Sequence, residues 1–558
     1  MMKNKYILAD LIFFVINSLI LLAFEVSRVN PIHNDLFLVF AFLFFLLFIL
    51  LVGGPCFGKI GLSLVAALAY VYVGRGVNLF ALLSILILIL FILYYFKNYK
   101  DYYRMPLSVR ISGLMCLLIA YSLSLNYEKK IYEADDGFSI NLSDGEYYDY
   151  VHFGVNDEEF VERFGMWSYL DKKVKNTFDY LNYKNKVNKD VNSFIERETY
   201  KETNEYTSVI SDSNILIIQV PSLNNCYISK DLTPTIYRLQ NEGLNFSGFD
   251  NLASKYDSNN YEIMTNLSLF PTNKDGSESY LYDNDTFFTT LPGVFAENGY
   301  STVMYVNDYA VFYNREKMAM AYGYNELKSS YNLGLDGKIN DDIILSDIEY
   351  KLSAEDKAMV FYTSTGNSYI DGSIKESVLN KFPNSSNIDV ESISNLILLD
   401  EKLGEILSDI DSNITVVLYG CNNDLSMSNV NFAMANDSTS NSSMIIYNKS
   451  LKHFETNKKC SSLDILPTLA NLYGFEIDDR FIVGRDILDN SYNGMIVSTD
   501  YEHNYFWYTD NIKFNFWSGQ YDCADSELAK EEIKDMKARL RFSDYWFKYN
   551  KYLIGMYE

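Results

Sequence analysis

Side chains able to hold a catalytic metal or act as a general base are scarce in this 558-residue chain. Its four histidines, His33, His152, His453 and His503, lie far apart and read as structural or surface residues. Its six cysteines, Cys56, Cys116, Cys226, Cys421, Cys460 and Cys523, include no CxxC pair and no finger-like spacing. That pattern argues against a zinc module. The first two fall in an apolar N-terminal region, and the other four are expected to stay unpaired. A formal net charge of −25 speaks against nucleic acid, because phosphate backbones recruit clustered Lys and Arg. The same charge disfavours adhesion to anionic lipid by electrostatics alone.

The elements that must position any chemistry divide the chain in two. Residues 1 to about 125 are dominated by Leu, Ile, Phe, Val and Ala, and the remainder is rich in Asn, Asp, Ser, Tyr and Lys. Five apolar stretches, Ile7–Phe24, Leu36–Val52, Gly58–Val73, Val77–Phe96 and Leu107–Leu125, are close to the roughly 20 residues a helix needs to span a bilayer. They lack the polar face of a buried soluble helix. Lys3, Lys5, Lys59, Lys97, Lys100, Arg104 and Arg110 fall in alternate short loops, so the N-terminus is expected in the cytoplasm and residues beyond 126 outside the cell. The spans carry no paired charges of the kind that mark ion or proton routes, which gives transport little support.

From residue 214 the pattern becomes α/β. Ile215–Val220 is a nearly continuous apolar run, as in a strand buried on both faces. Thr233–Glu242 follows as a helix with Thr at its N-cap and Pro in its first turn. Further helices are expected at Leu291–Asn298, Val390–Asp409 and Leu463–Tyr473, and strands at Ser301–Val306, Ala358–Tyr362, Ile414–Tyr419 and Ser443–Tyr447. This alternation implies a mainly parallel sheet covered on both sides. Its functional edge would lie just after Val220, Val306, Tyr362 and Tyr419. Ser526–Glu558 is charged, then aromatic, and is expected to be helical.

Several motifs in order carry a family resemblance: Asp231-Leu-Thr-Pro234, Leu267-Ser-Leu-Phe-Pro271, Thr290–Thr302, Phe312-Tyr-Asn-Arg315, Asp464–Gly474 and Gly484-Arg-Asp-Ile487. With about five spans and a connector before them, the chain resembles the lipoteichoic acid synthase family of the sulfatase and alkaline phosphatase superfamily. The resemblance implies a polytopic helical membrane bundle at 1–125 and an extracytoplasmic connector at 126–212. A sulfatase-like α/β domain at 213–500 and a C-terminal extension at 501–558 would follow. It also implies phosphoglycerol transfer from phosphatidylglycerol through a metal-bound Thr, the cation lowering the nucleophile's pKa and neutralising phosphoryl charge.

Residue by residue, most of that chemistry is missing. The metal-binding Glu at the end of the first strand is Pro221, and the Thr nucleophile is Ser258, preceded by Asp257 where the family has Lys. The Asp-His pair after Tyr419-Gly420 is Cys421-Asn422. One substrate-binding His matches Asn367, and another near Tyr305 matches Val306. From the glycerol phosphate pocket, Tyr313 stands for a Trp and Arg315 is retained. Arg315 reads equally as an anion-headgroup ligand or as a packing residue. Glu262 and Asp424 lie near the site in sequence and leave a relocated metal open.

The leading expectation is therefore a catalytically degenerate homologue without a bound cofactor. It would bind an envelope polymer or lipid headgroup, or regulate an active synthase in the same membrane. The alternative is an active transferase using Ser258 with Mn2+ or Mg2+.

Overall fold

The computed structural model describes residues between 181 and 557, together with Ile89, apart from 183, 198–202, 222, 251–257, 272–286, 307–309, 311, 330–331, 335–340, 365–371, 383–386, 410–412, 422–441, 500–504, 516–520 and 524–525. The chain divides into two compact units, 1–183 and 184–558. The five expected spans lie outside the described residues, among which no helix is long and apolar enough to cross a membrane. The second unit begins at Lys184, inside the segment read as a connector.

Its elements start with β1 (Asn214–Pro221), α1 (Pro234–Glu242), β2 (Leu244–Phe246), α2 (Ser258–Leu267), α3 (Leu291–Glu297) and β3 (Ser301–Val306). Next come α4 (Arg315–Tyr322), β4 (Glu326–Ser329), α5 (Asp341–Ala354), β5 (Ala358–Thr363), α6 (Gly372–Lys381), α7 (Asn387–Asp409) and β6 (Ile414–Cys421). The series continues with β7 (Met444–Tyr447), β8 (Phe454–Thr456), α8 (Ile465–Tyr473), β9 (Ile496–Thr499), β10 (Tyr505–Tyr508), β11 (Lys513–Asn515), β12 (Tyr521–Asp522) and α9 (Ser526–Leu553). The main sheet has the order β4-β3-β5-β1-β6-β7-β2-β8. It is mainly parallel, with β7 antiparallel to both of its neighbours. A second, antiparallel sheet has the order β12-β11-β10-β9.

Strand β1 runs through the middle of the main sheet because its aliphatic side chains are buried on both faces. Ile215 and Ile217 join one apolar cluster, with Val417, Tyr419 and Cys421 of β6. Leu216, Ile218 and Val220 join the opposite one, with Val416 and Leu418. This period of two places Gln219 and Pro221 on the first face. Register pairs Gln219 with Tyr419 and Pro221 with Cys421. Gly420 between them is fixed by close approach, since a Cβ there would lie 2.5 Å from the Leu223 carbonyl oxygen.

Helix α1 has Pro234 in its first turn, and its Thr235 and Ile236 amides donate to the buried Asp400 carboxylate of α7 at 3.1 and 2.6 Å. A helical segment over 184–195 buries Val187, Val191 and Phe194 in the first cluster. Phe194 stacks on Phe542 of α9 at 4.2 Å. Both ends of this unit thus share one core. The sequence reading missed α2, α4, α5 and α6, the short strands β2, β4 and β8, and the second sheet. Strands of three or four residues are too short to establish a period.

Candidate functional site

At the carboxyl end of β1 and β6, the first face of the sheet carries a closed polar chain. The Thr265 hydroxyl of α2 donates to the Tyr419 oxygen at 2.8 Å, and the Tyr419 hydroxyl donates to Gln219 Oε1 at 2.7 Å. All three side chains are buried. Burial drives the Tyr419 phenol well above its ordinary pKa, so it stays a neutral donor. Beyond it lie Pro221, which has no side-chain donor atom, and Cys421, a fully buried thiol. Cys226, Cys460 and Cys523 are likewise unbridged thiols.

One turn toward the start of α2, Glu262 is fully buried and accepts from Arg315 Nη2 at 2.6 Å and Nε at 3.2 Å. Asn259 Nδ2 adds a third donor at 2.9 Å. Arg315 is 2% exposed, and its guanidinium carbon sits 4.8 Å from the centre of the Tyr313 ring. Tyr313 and Asn314 both adopt left-handed backbone, with φ of 58° and 53°. That conformation is uncommon for Tyr and tends to persist where the surroundings enforce it. Here it starts α4 so that its first residue reaches Glu262. Close by, Tyr324 donates to Asn266 Oδ1 at 2.7 Å, and the buried Tyr322 hydroxyl has no hydrogen-bond partner among the described residues.

The structure therefore brings together Tyr313 with Arg315, and Pro221 with Cys421. Ser258 is the first residue of α2; its side chain, Asn367, Asn422 and Asp424 lie outside what is described. His453 holds the Gly243 carbonyl oxygen through Nδ1 at 3.0 Å, a structural bond in which Nδ1 must carry the proton. The other three histidines lie outside the described residues. Sequence reasoning missed Gln219, Thr265 and Tyr419 as one hydrogen-bonded unit. Their only signal is position: Gln219 and Tyr419 are single polar side chains near the ends of otherwise apolar strands, and Thr265 lies on a helix distant in sequence.

Whether a hard divalent cation fits can be judged from these donors. Such an ion needs several oxygen ligands, mostly carboxylate. Both oxygens of Glu262 are engaged by Arg315 and Asn259, so the relocated metal that the sequence leaves open is not supported at Glu262. Gln219 Oε1 is engaged by Tyr419, and Pro221 and Cys421 offer no side-chain oxygen. Among the described residues, no three His, Cys, Asp or Glu side chains gather as a metal-binding group. The donors among the described residues do not fit the ion.

The sheet order and its helical cover are shared with solved structures of the alkaline phosphatase superfamily, and the chain is similar in sequence to a lipoteichoic acid synthase. Lipoteichoic acid synthase 1 of Bacillus subtilis strain 168 is 22% identical over 377 residues, covering 61% of this chain and 57% of that protein. The chain thus matches little more than half of that relative's length. Among solved structures, the lipoteichoic acid synthase LtaP of Listeria monocytogenes superposes with a TM-score of 0.51 at 19% identity, over 65% of this chain and 98% of that one. An alkaline phosphatase superfamily protein of Vibrio parahaemolyticus gives 0.50 at 16% identity, over 66% and 96%. No protein-family model matches the chain.

Proposed function

We propose that this protein is a catalytically degenerate lipoteichoic acid synthase homologue, held in the cell membrane by its apolar N-terminal region with the α/β unit outside. In this reading it binds an envelope polymer or an anionic lipid headgroup, or regulates an active synthase beside it in the bilayer. The single observation that carries the reading is the closure of the strand-end polar groups on one another. Thr265, Tyr419 and Gln219 satisfy each other, Arg315 satisfies Glu262, and Pro221 with Cys421 occupy the positions where the resemblance expects metal ligands. A hydroxyl nucleophile without a metal or a neighbouring base stays protonated and unreactive.

A second reading is favoured by one feature. Ser258 opens a helix of ten residues, and a helix N-terminus favours negative charge developing on a phosphoryl group. On that reading the protein is a phosphoglycerol transferase with Ser258 as nucleophile and Mn2+ or Mg2+ held by residues outside those described. The experiment is turnover of a fluorescent phosphatidylglycerol by the full-length protein with Mn2+ or Mg2+ present. The degenerate reading expects no headgroup release above the protein-free rate. Release that disappears in Ser258→Ala would establish the transferase instead.

A further inference from the structure

A second polar site lies away from the strand ends, where the 203–208 segment, the C-terminal end of α8 and the 475–489 segment enclose a cavity of about 300 Å³. Arg485 and Arg197 both line it. Arg197 is committed to the fold: it donates to the carbonyls of Phe194, Asp479 and Ile482 at 3.1, 3.1 and 2.9 Å, and it lies 3.4 Å over the Phe194 ring. The Arg485 backbone amide donates to Asp464 Oδ1 at 3.0 Å, and its guanidinium carbon lies 6.0 Å from the centre of the Tyr492 ring. Gly484 before it packs so closely on the Leu463 carbonyl that a Cβ there would come within 2.0 Å. The backbone at Arg485 is therefore fixed, while its guanidinium makes no hydrogen bond or ion pair with any described residue.

The electrostatics around Arg485 are unbalanced. Arg539, 2% exposed, pairs with Asp535 at 2.7 Å and also donates to the Val483 carbonyl. That pair engages Asp535, and the Arg539 charge followed by burial pushes the Arg485 guanidinium below its ordinary range. Burial, then Arg539 and Arg485, bring Arg197 down to about 9. Three guanidinium groups thus repel one another, with Asp535, Asp479 and Asp489 offsetting part of their charge. Of the acids on the cavity wall, Asp479 offsets part of the Arg197 charge and two others are engaged by neutral donors. Asp486 accepts from Asn204 and Asn471 at 2.9 Å each and from the Leu488 amide at 3.0 Å, and Asp489 accepts from Ser491. Glu476 is exposed at the rim.

We propose that this cavity is a binding site for a small oxyanion-bearing ligand, phosphate or carboxylate, seated against the unpartnered guanidinium of Arg485. The fork of an arginine matches either oxyanion in bidentate fashion. An anion there relieves the repulsion among Arg197, Arg485 and Arg539. The site is separate from the strand-end pocket and does not depend on whether that pocket is catalytic.

The test uses the full-length protein in detergent, with inorganic phosphate as the probe and chloride at equal ionic strength as the reference. Phosphate is expected to raise the unfolding temperature of wild type by a few degrees at saturation. Arg485→Gln is expected to unfold at or above the wild-type temperature in chloride, because it removes a repelled charge, and to gain nothing from phosphate. Equilibrium dialysis keeps the proposal open to refutation should that variant fold poorly. One phosphate per wild-type chain is expected, with at least tenfold weaker binding by Arg485→Lys, which keeps the charge but loses the fork. Displacement by acetate at comparable concentration assigns a carboxylate ligand; retention against acetate assigns a phosphate. The absence of saturable phosphate binding in wild type, or equal binding by Arg485→Lys, overturns the proposal.

Discussion

Arg315 and Glu262 meet as fork and carboxylate, at 2.6 and 3.2 Å, both shielded from water. The arginine retained from the resemblance to a glycerol phosphate pocket therefore already has its counter-charge within the protein. An incoming headgroup phosphate must share that guanidinium with Glu262 or displace it. Breaking one side of a buried ion pair leaves an uncompensated charge and costs about 3–5 kcal/mol. Glu262→Gln is expected to lower stability by that amount in equilibrium denaturation. The double variant Glu262→Gln with Arg315→Met should recover part of the loss. Equal stability of wild type and Glu262→Gln would contradict the pairing.

The Thr265–Tyr419–Gln219 chain makes a second prediction. Tyr419→Phe keeps the ring and leaves Gln219 Oε1 without its donor, at a cost of about 1–3 kcal/mol. Gln219→Leu in the same background should cost less than it does alone, because the two residues act as one unit. A double-mutant cycle by denaturation measures the coupling, and additive losses would show that the bonds are not formed.

Asp464 joins α8 to the 484–492 segment. Its carboxylate is buried and accepts from the Ser461 and Arg485 amides and the Tyr492 hydroxyl. Burial outweighs these donors and lifts Asp464 to about 7, and burial likewise lifts Asp486 to about 6. Both folded values lie above the ordinary carboxylate range, so the native state binds more protons than the unfolded chain. Their stabilising contribution is full below about pH 4 and is lost as pH rises through about 6 and 7. The unfolding temperature of wild type should therefore fall between pH 5 and pH 8, and Asp464→Asn should flatten that slope. A wild-type unfolding temperature that climbs across the same interval would refute this.

Helix α9 closes the first core cluster through Phe542, Trp546 and Phe547. Trp546 lies 5.2 Å from Phe481 and stacks at 5.4 Å on Phe542. Trp546→Ala is expected to cost about 3–5 kcal/mol, read as a shifted denaturation midpoint. A change under 1 kcal/mol would mean that the C-terminal segment is not part of the folded unit.

Much of this architecture is legible in the sequence because it rests on period and punctuation. The β-branched run at Ile215–Val220, the Pro and Thr opening α1, and the boundaries of β3 follow from local chemistry. The motif positions Pro221 and Cys421 also fall opposite each other, as the two strand ends require. What was not legible depends on partners distant in sequence. In sequence Glu262 is a carboxylate near the site, and only the fold shows that Arg315, 53 residues away, consumes it. Arg485 was read as part of a family motif, and its lack of a partner emerges only once Arg539 is seen to take Asp535.

The proposed loss of catalysis rests on the described strand-end residues offering no cage for a divalent cation. Titrating Mn2+ into the metal-stripped full-length protein by calorimetry tests it directly. The account predicts no saturable binding event near one ion per chain, in wild type and in Ser258→Ala alike. One tightly bound Mn2+ per wild-type chain, weakened by Ser258→Ala, would contradict it.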